Sequence, residues 1–255
     1  MSDRNDPIRE NYYKPMETVE TVSSLVFYAS AVLSFSPVFI EHEKYPIVAN
    51  ITMVLFVLSV IIYAILGAIS RLYLFPRAEE ARRKEFLSSA MGVELIHERT
   101  TGYYNNDEKK TFQRLAMMLL EDSFFTMRIL RAMALGIRCK TGLYFCIWLV
   151  FLISREPSLE SLTLVTIAIF SEEIISRWLR FEWQRMKVEK IYQEIRSMLQ
   201  LRPIESKCKA YTIDGLISYE SAKAVGGILL SAKKFEQLNP VLTEEWERIK
   251  IGLVK

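Results

Sequence analysis

Charge is missing from two long stretches of this chain. Thr21–Ile40 and Ile47–Ser70 contain no Asp, Glu, Lys or Arg, although 25% of the whole sequence is charged. A helix needs roughly 20 apolar residues to cross the hydrocarbon core of a bilayer, and both runs reach that length. The link between them, Glu41–Pro46, allows only a tight hairpin. The pattern predicts an antiparallel transmembrane pair, and a buried hairpin in the core of a soluble protein is the alternative.

Histidine, cysteine and the common catalytic motifs are also scarce. His42 and His97 are the only histidines, which excludes a histidine-rich metal site. The three cysteines show no CxxC spacing, so we expect no disulfide framework. The sequence has no GxSxG, HExxH or P-loop motif, and we expect no catalytic residue, cofactor or metal ion. These absences favour a protein that is not an enzyme.

A second and weaker apolar hairpin is predicted around Pro157. Its uncharged runs, Thr141–Ser154 and Ser161–Ser171, are each too short to span a bilayer unless they extend towards the cytoplasm. A hairpin that enters the membrane without crossing it, or that lies on its surface, fits the same residues. The sequence therefore predicts four crossings, with two crossings as the alternative.

Four charged residues flank that second hairpin. Arg138 and Lys140 come before it and Glu172 and Glu173 come after it, so a fold about Pro157 brings opposite charges to a similar depth. An ion pair inside the membrane would lower the cost of burying each charge. The alternative is that all four side chains reach back to the interface and mark its position.

Basic residues give the predicted orientation. Glu41–Pro46 contains one Lys and Arg155–Glu160 contains one Arg, whereas the chain has 33 such residues in total. Short loops on the cytoplasmic side of a membrane carry an excess of Lys and Arg. We therefore predict that both termini and the long middle segment are cytoplasmic.

The resulting fold class is an all-α membrane protein with two transmembrane helical hairpins and a cytoplasmic helical domain. Its predicted segments are a cytoplasmic leader (1–20), a first transmembrane hairpin (21–72), a cytoplasmic helical segment (73–130), a second transmembrane hairpin (131–176) and a cytoplasmic helical tail (177–255).

Helix signals subdivide the cytoplasmic parts. Pro76 suits a first helical turn and Gly92 a C-terminal cap, which predicts a helix over Pro76–Met91. Another helix should run from Glu172 to about Leu201, because Arg202-Pro203 ends it. In the tail we expect, in order, an extended polar stretch over Lys207–Ile213 and amphipathic helices over Leu216–Gln237 and Thr243–Val254, with Pro240 before the last one.

The stretch Arg82–Asn106 is the most unusual cytoplasmic segment. Its cations suit an anionic phosphate, and its aromatic and amide side chains suit stacking and hydrogen bonding to a base. The alternative is a set of juxtamembrane cations that face lipid, followed by a structural turn. The predicted ligand-binding or partner-binding residues are Arg82, Arg83, Lys84, Arg99, Tyr103, Tyr104, Asn105 and Asn106.

The order of these segments resembles a group of small bacterial membrane effectors. A membrane hairpin is followed by Ala81–Lys84, Gly102–Asn106 and Glu121–Phe125, and then by a second apolar hairpin. Over residues 20–180 this order is similar to the transmembrane effector encoded beside retron reverse transcriptases. In role it is similar to the multi-span effectors of cyclic-nucleotide anti-phage systems.

The resemblance implies a toxin-like protein of the inner membrane. Such a protein permeabilises or depolarises the bilayer when a cytoplasmic sensor detects infection, and the cell then stops growing or dies. The implied partners are the lipid bilayer and a sensor, either a reverse transcriptase–nucleic acid complex or a cyclic nucleotide. Because one chain has at most four spans, the active form should be a homo-oligomer.

Two other classes of protein remain as alternatives. One is a membrane-anchored scaffold or sensor that binds a nucleotide or a protein partner through its cytoplasmic region. The other is a small transporter, which needs polar groups facing inward along its spans. Thr21–Ser70 offers only scattered Ser, Thr and Tyr residues and Asn50 for that purpose.

Overall fold

A computed structural model describes residues 6–34, 36, 40, 43–100, 108, 110–153, 172–202 and 204–254. The regular secondary structure over these ranges is helical, which confirms the all-α prediction for this part of the chain. Three short π-helical turns, Arg9–Tyr13, Ser70–Leu74 and Glu172–Ser176, directly adjoin α-helices. The helices are α1 (Lys14–Ser34), α2 (Pro46–Ile69), α3 (Phe75–Met91), α4 (Thr111–Ile153), α5 (Arg177–Leu201), α6 (Glu205–Gly226) and α7 (Ala232–Val254).

The chain divides into two compact units. We call the first the core unit, and it comprises Met1–Ile8, Glu79–Ile137 and Leu179–Lys255. We call the second the apolar unit, and it comprises Arg9–Ala78 and Arg138–Trp178. Helix α4 contributes its first part to the core unit and its last part to the apolar unit.

In the apolar unit, α1 and α2 pack against each other as an antiparallel pair. The ring centroids of Phe27 and Tyr63 are 5.6 Å apart near the middle of the pair. Towards the start of α1, the Arg77 guanidinium lies 5.6 Å from the Tyr12 ring centroid. Residues later in α1 therefore contact residues earlier in the partner segment. This is the antiparallel arrangement that the predicted first hairpin requires.

The core unit has a continuous hydrophobic core to which α3, α4, α5, α6 and α7 all contribute. Phe124 of α4 is 1% exposed and lies near its centre. Its ring centroid is 5.8 Å from that of Tyr192 on α5 and 6.3 Å from that of Trp246 on α7. Aromatic contacts thus tie three helices that are far apart in sequence.

A glycine of α6 leaves room for side chains of two neighbouring helices. A Cβ atom at Gly215 would lie 2.6 Å from Cδ1 of Ile195 and 3.3 Å from Cδ2 of Leu119. Further along α6, the buried Tyr219 hydroxyl shares a 2.7 Å hydrogen bond with the Thr126 hydroxyl. Burial raises the pKa of Tyr219 well above its usual value, so this phenol stays protonated and available as a donor.

Three helix predictions are confirmed in position. The second uncharged run becomes α2, and α3 ends at Met91, next to Gly92 with a φ of 71°. A left-handed residue directly after a helix is the expected stop, and glycine adopts it without a Cβ penalty. The predicted helix from Glu172 to Leu201 is also present, as a π-helical turn followed by α5.

The predicted tail helices are wrong in their boundaries. Lys207–Ile213 is helical rather than extended, because α6 begins at Glu205 and places Cys208 and Thr212 in the core. The buried Thr212 hydroxyl donates to the Cys208 carbonyl at 2.7 Å, so a polar residue is tolerated there. Helix α6 stops at Gly227, whose φ is 57°, in the middle of the predicted Leu216–Gln237 helix.

Helix α7 also differs from the prediction. It begins at Ala232 and continues through Pro240 instead of starting after it. Proline removes one backbone hydrogen bond and normally ends or kinks a helix. Burial of Leu242 and Trp246, which are 1% and 3% exposed, anchors the helix directly beyond the proline.

Candidate functional site

Helix α2 presents large apolar side chains to the outside over most of its circumference. None of its residues is buried. The exposed large apolar ones are between 42% and 73% accessible, and they are Ile47, Val48, Ile51, Met53, Val54, Leu55, Val57, Leu58, Val60, Ile61, Ile62, Ile65 and Ile69.

This exposed surface is too costly for water. Burying a Val, Leu, Ile or Met side chain is worth about 1.5–3 kcal/mol. Thirteen such side chains are about half exposed, so covering them would gain on the order of 15 kcal/mol of burial free energy relative to water. That is as large as the whole stability of a typical domain, about 5–15 kcal/mol. The surface of α2 therefore needs an apolar cover, such as lipid.

The other face of α2 mixes small and hydroxyl-bearing residues with a few larger apolar ones. Its half-buried positions recur mostly at spacings of three and four, and they are Ala49, Thr52, Phe56, Ser59, Tyr63, Leu66 and Gly67, followed by Ser70 directly after the helix. Helix α1 has a matching buried or half-buried stripe, Met16, Glu20, Ser23, Phe27, Ser30 and Ser34. Membrane helices pack through small residues on such stripes, since apolar side chains gain little by leaving lipid.

Hydroxyl groups on these two helices are satisfied without water. Ser30 donates to the Phe27 carbonyl at 2.8 Å, and Ser59 donates to the Phe56 carbonyl at 2.7 Å. Thr52 donates to the Ala49 carbonyl at 2.9 Å. Because hydrocarbon offers no hydrogen-bond partners, self-satisfied hydroxyls are compatible with a membrane interior.

Two helices in the described part of the chain are long and apolar enough to cross a membrane, Pro46–Met91 and Thr111–Val150. With 24 residues, α2 alone is about 36 Å long, against a hydrocarbon core of about 30 Å. These helices satisfy the requirement by length and composition. The described residues do not support four spans.

The other two predicted spans have different outcomes. Helix α1 is not among the helices that are apolar enough to cross a membrane, because Lys14, Glu17 and Glu20 lie in its first half. Residues 35 and 37–39 of the predicted first span lie outside the described residues, as does the whole of Ser161–Ser171. Among the described residues, the apolar unit therefore contains one long lipid-compatible helix, the end of a second, and a more polar partner.

The predicted intramembrane charges are only partly placed. The Lys140 ammonium lies 5.2 Å from the Tyr28 ring centroid, a cation–π contact, and Arg138 is exposed on α4. The backbone of Glu172 and Glu173 forms a π-helical turn, but their side chains lie outside the description, so the four-residue ion pair stays a prediction.

Another ion pair in the apolar unit was not predicted. Arg177 Nη2 and Glu20 Oε2 are 3.3 Å apart, with both side chains about one-third exposed or less. Glu20 precedes the first uncharged run and Arg177 follows the second hairpin, so no local pattern in the sequence links them.

The predicted ligand-binding cations do not point to one place. Arg82 donates to both carboxylate oxygens of Asp6, at 2.8 and 3.1 Å, and the two side chains are 13% and 14% exposed. Arg83 and Lys84 are exposed, as expected for consecutive helix positions that point in different directions. Arg99 lies 3.9 Å from a Glu94 carboxylate oxygen.

The remaining predicted ligand-binding residues, Tyr103, Tyr104, Asn105 and Asn106, lie outside the described residues. Lys84 pairs with Glu80 one turn earlier, at 2.7 Å, and this hydrogen bond holds the pKa of Glu80 below its usual value. The nucleotide-binding role of this segment therefore stays a prediction, and Arg82 already has a carboxylate partner.

Glu85, a buried carboxylate in the Arg82–Asn106 segment, was not among the predicted site residues. It is 1% exposed, and its Oε1 accepts hydrogen bonds from the hydroxyls of Thr100 and Ser89, the latter at 3.2 Å. Burial raises the pKa of Glu85, and the Thr100 hydrogen bond and the nearby Arg82 guanidinium oppose this effect. A signal was available, because Glu85 shares the three-and-four spacing of the buried residues Ala78 and Ala81.

Comparison of the chain with protein families, with curated proteins and with solved structures finds no match.

Proposed function

We propose that this chain is an integral membrane effector that permeabilises or depolarises a bilayer when its copies assemble. The outward surface of α2 is the observation that carries the proposal. Large apolar side chains cover it, whereas the half-buried residues on the other side of the helix include small and hydroxyl-bearing ones such as Thr52 and Ser59. Such a helix suits lipid on the outside and helix contacts on the inside.

The proposed topology has four crossings and both termini in the cytoplasm, in the inner membrane of a bacterium. Arg71 and Arg77 directly follow α2, and the excess of cations on that side supports the orientation. The proposed role is defence against phage, in which a cytoplasmic sensor triggers the effector in an infected cell. The resemblance in segment order supports this role.

Assembly is part of the proposal. At most four helices per chain enclose too little space for a wide aqueous pathway, and the exposed face of α2 carries one polar residue, Asn50, near its start. A pathway for ions therefore needs several chains, with α1 or the end of α4 supplying part of its wall. The protein acts by packing and assembly, without a catalytic step.

Dye release from liposomes tests the proposal. The full chain is reconstituted at increasing protein-to-lipid ratios into phosphatidylcholine and phosphatidylglycerol liposomes loaded with a self-quenched dye. Because assembly is required, release should rise more steeply than in proportion to the amount of protein. In a bacterial host, strong expression should collapse the membrane potential and admit an impermeant dye.

Matched variants of α2 sharpen the experiment. Ser59→Leu enlarges a residue on the stripe that faces α1, and Val60→Leu enlarges its exposed neighbour. Release should fall for Ser59→Leu, since it forces α1 and α2 apart, and stay unchanged for Val60→Leu. If the inserted chain leaves both dye release and membrane potential unchanged at every level, the effector proposal is wrong.

A membrane-anchored sensor or scaffold is the second candidate. The core unit favours it, because its hydrophobic core spans five helices and more than half of the described residues belong to it. In that case the chain should capture a stoichiometric partner through the core unit while liposomes containing it stay sealed.

A further inference from the structure

A groove of about 380 Å³ opens on the core unit between α5 and α7. Arg196 and Gln200 line it from α5, and Arg248 lines it from α7. Ile249 and Leu253 add an apolar wall. The groove thus combines two guanidinium groups and an amide with a hydrophobic surface.

The two arginines of the groove have no carboxylate partner among the described residues. The polar contact of Arg196 is the Tyr192 hydroxyl, at 3.5 Å. Arg248 donates to the Glu244 carbonyl of its own helix at 3.4 Å. Both side chains are exposed and able to move towards a ligand.

The acidic residue of the groove does not neutralise them. Glu245 also lines the groove, but its carboxylate accepts a 2.9 Å hydrogen bond from Arg128 of α4. Arg131 of the same unit, by contrast, is paired with Glu189 at 2.5 Å. Neither Arg196 nor Arg248 has such a partner among the described residues, so their positive charge remains available to a ligand.

Unpaired guanidinium groups select a particular kind of ligand. Each presents a planar set of N–H donors that fits two oxygens of a phosphate or carboxylate. A single carboxylate is satisfied by one such group, whereas a phosphate has enough oxygens and charge for two. The apolar wall formed by Ile249 and Leu253 suits an organic group attached to the phosphate.

We propose that the groove between α5 and α7 binds a phosphate-bearing molecule through Arg196 and Arg248. Gln200 donates an amide hydrogen bond, and the apolar wall covers the organic part of the ligand. This site is separate from the predicted Arg82–Asn106 segment. It also goes beyond the membrane role, since binding is measurable whether or not the bilayer becomes permeable.

Titration calorimetry with sodium pyrophosphate tests the site. The full chain, freed of lipid in a neutral detergent, should bind one pyrophosphate per chain with saturation. Hydrogen bonds to charged groups are strong enough that Arg196→Ala and Arg248→Ala should each weaken binding by about tenfold or more. Lys233→Ala removes a charge from an exposed position on α7 outside the groove, and it should leave binding unchanged.

The thermal unfolding of each variant without ligand shows whether it has folded. A second arm adds phosphatidylglycerol to the micelles of the unmodified chain. Competition with pyrophosphate would identify a lipid headgroup as the source of the phosphate, and lack of competition would identify a soluble ligand. Absence of saturable binding would overturn the proposal. Unchanged affinity in both folded arginine variants, or a loss of affinity in Lys233→Ala, would also overturn it.

Discussion

Replacing Gly226 with alanine should destabilise the core unit, although alanine is the better helix former. Gly226 is the last residue of α6 and is buried. A Cβ atom there would lie 2.0 Å from Oε1 of Gln184, 2.7 Å from its Cδ and 2.8 Å from its Cβ. Only the first of these atoms is at the end of a flexible side chain, so rotation of the amide alone cannot relieve the overlap.

The expected loss follows from the burial of Gln184, which is 1% exposed and has no space to retreat. Overpacking of a closed core typically costs about 1–3 kcal/mol. For a chain of this size each kcal/mol lowers Tm by about 2–4 °C, so the expected fall is roughly 2–12 °C.

Thermal unfolding in neutral detergent, followed by tryptophan fluorescence, measures this change. Gln184→Ala alone leaves a cavity and should also destabilise the chain. In the double variant the overlap is absent, so its loss should be smaller than the sum of the two single losses by about 1 kcal/mol or more.

Gly136→Ala should have the opposite effect on stability. This glycine is exposed in α4 and a Cβ there would meet nothing within 4 Å. Alanine should therefore stabilise the helix by about 0.5–1 kcal/mol. If Gly226→Ala raised Tm as Gly136→Ala does, or if Gln184→Ala gave no relief, the packing described for α6 would be refuted.

Two further predictions concern the polar residues of α3. Because burial raises the pKa of Glu85, the folded state keeps this proton to a higher pH than the unfolded chain. The folded chain should thus lose stability as pH rises from below the ordinary carboxyl pKa through the raised one. Glu85→Gln should lack that part of the loss, as urea midpoints between pH 4 and 8 would show, and parallel curves for both proteins would contradict the reasoning. Arg82→Ala removes the hydrogen bonds to Asp6 and should cost about 1.5–3 kcal/mol. Arg83→Ala, at the exposed neighbouring position, should change stability by no more than about 0.5 kcal/mol in the same denaturation experiment. Equal losses in the two variants would show that the Asp6 contact does not stabilise the fold.

The sequence is sufficient for features that depend on local composition. The lack of charge over Ile47–Ser70 predicts α2 to within one residue at each end, and Gly92 predicts the end of α3. Helix boundaries predicted from the sequence are wrong where tertiary contacts override local preference. Pro240 is predicted to precede the last helix, but α7 begins at Ala232 and the buried side chains beyond the proline keep it helical.

The candidate sites depend on contacts that no local pattern contains. Asp6 and Arg82 are 76 positions apart, so the sequence gives no sign that Arg82 donates hydrogen bonds to Asp6. The groove joins Arg196 and Arg248 from different helices, and α7 was expected to begin only at Thr243. The division of α2 into apolar and hydroxyl-bearing faces was available from spacing, since Thr52, Ser59 and Tyr63 are separated by seven and four positions.

Cysteine labelling tests most directly whether lipid surrounds α2. In a chain whose native cysteines are replaced, Ile61→Cys and Ile217→Cys place a thiol at two exposed positions, with 49% and 60% accessibility. In membranes opened to expose both sides, a water-soluble maleimide should label Ile217→Cys readily and leave Ile61→Cys unlabelled until detergent and denaturant are added. Equal labelling of the two positions in intact lipid would contradict the membrane-spanning account of α2.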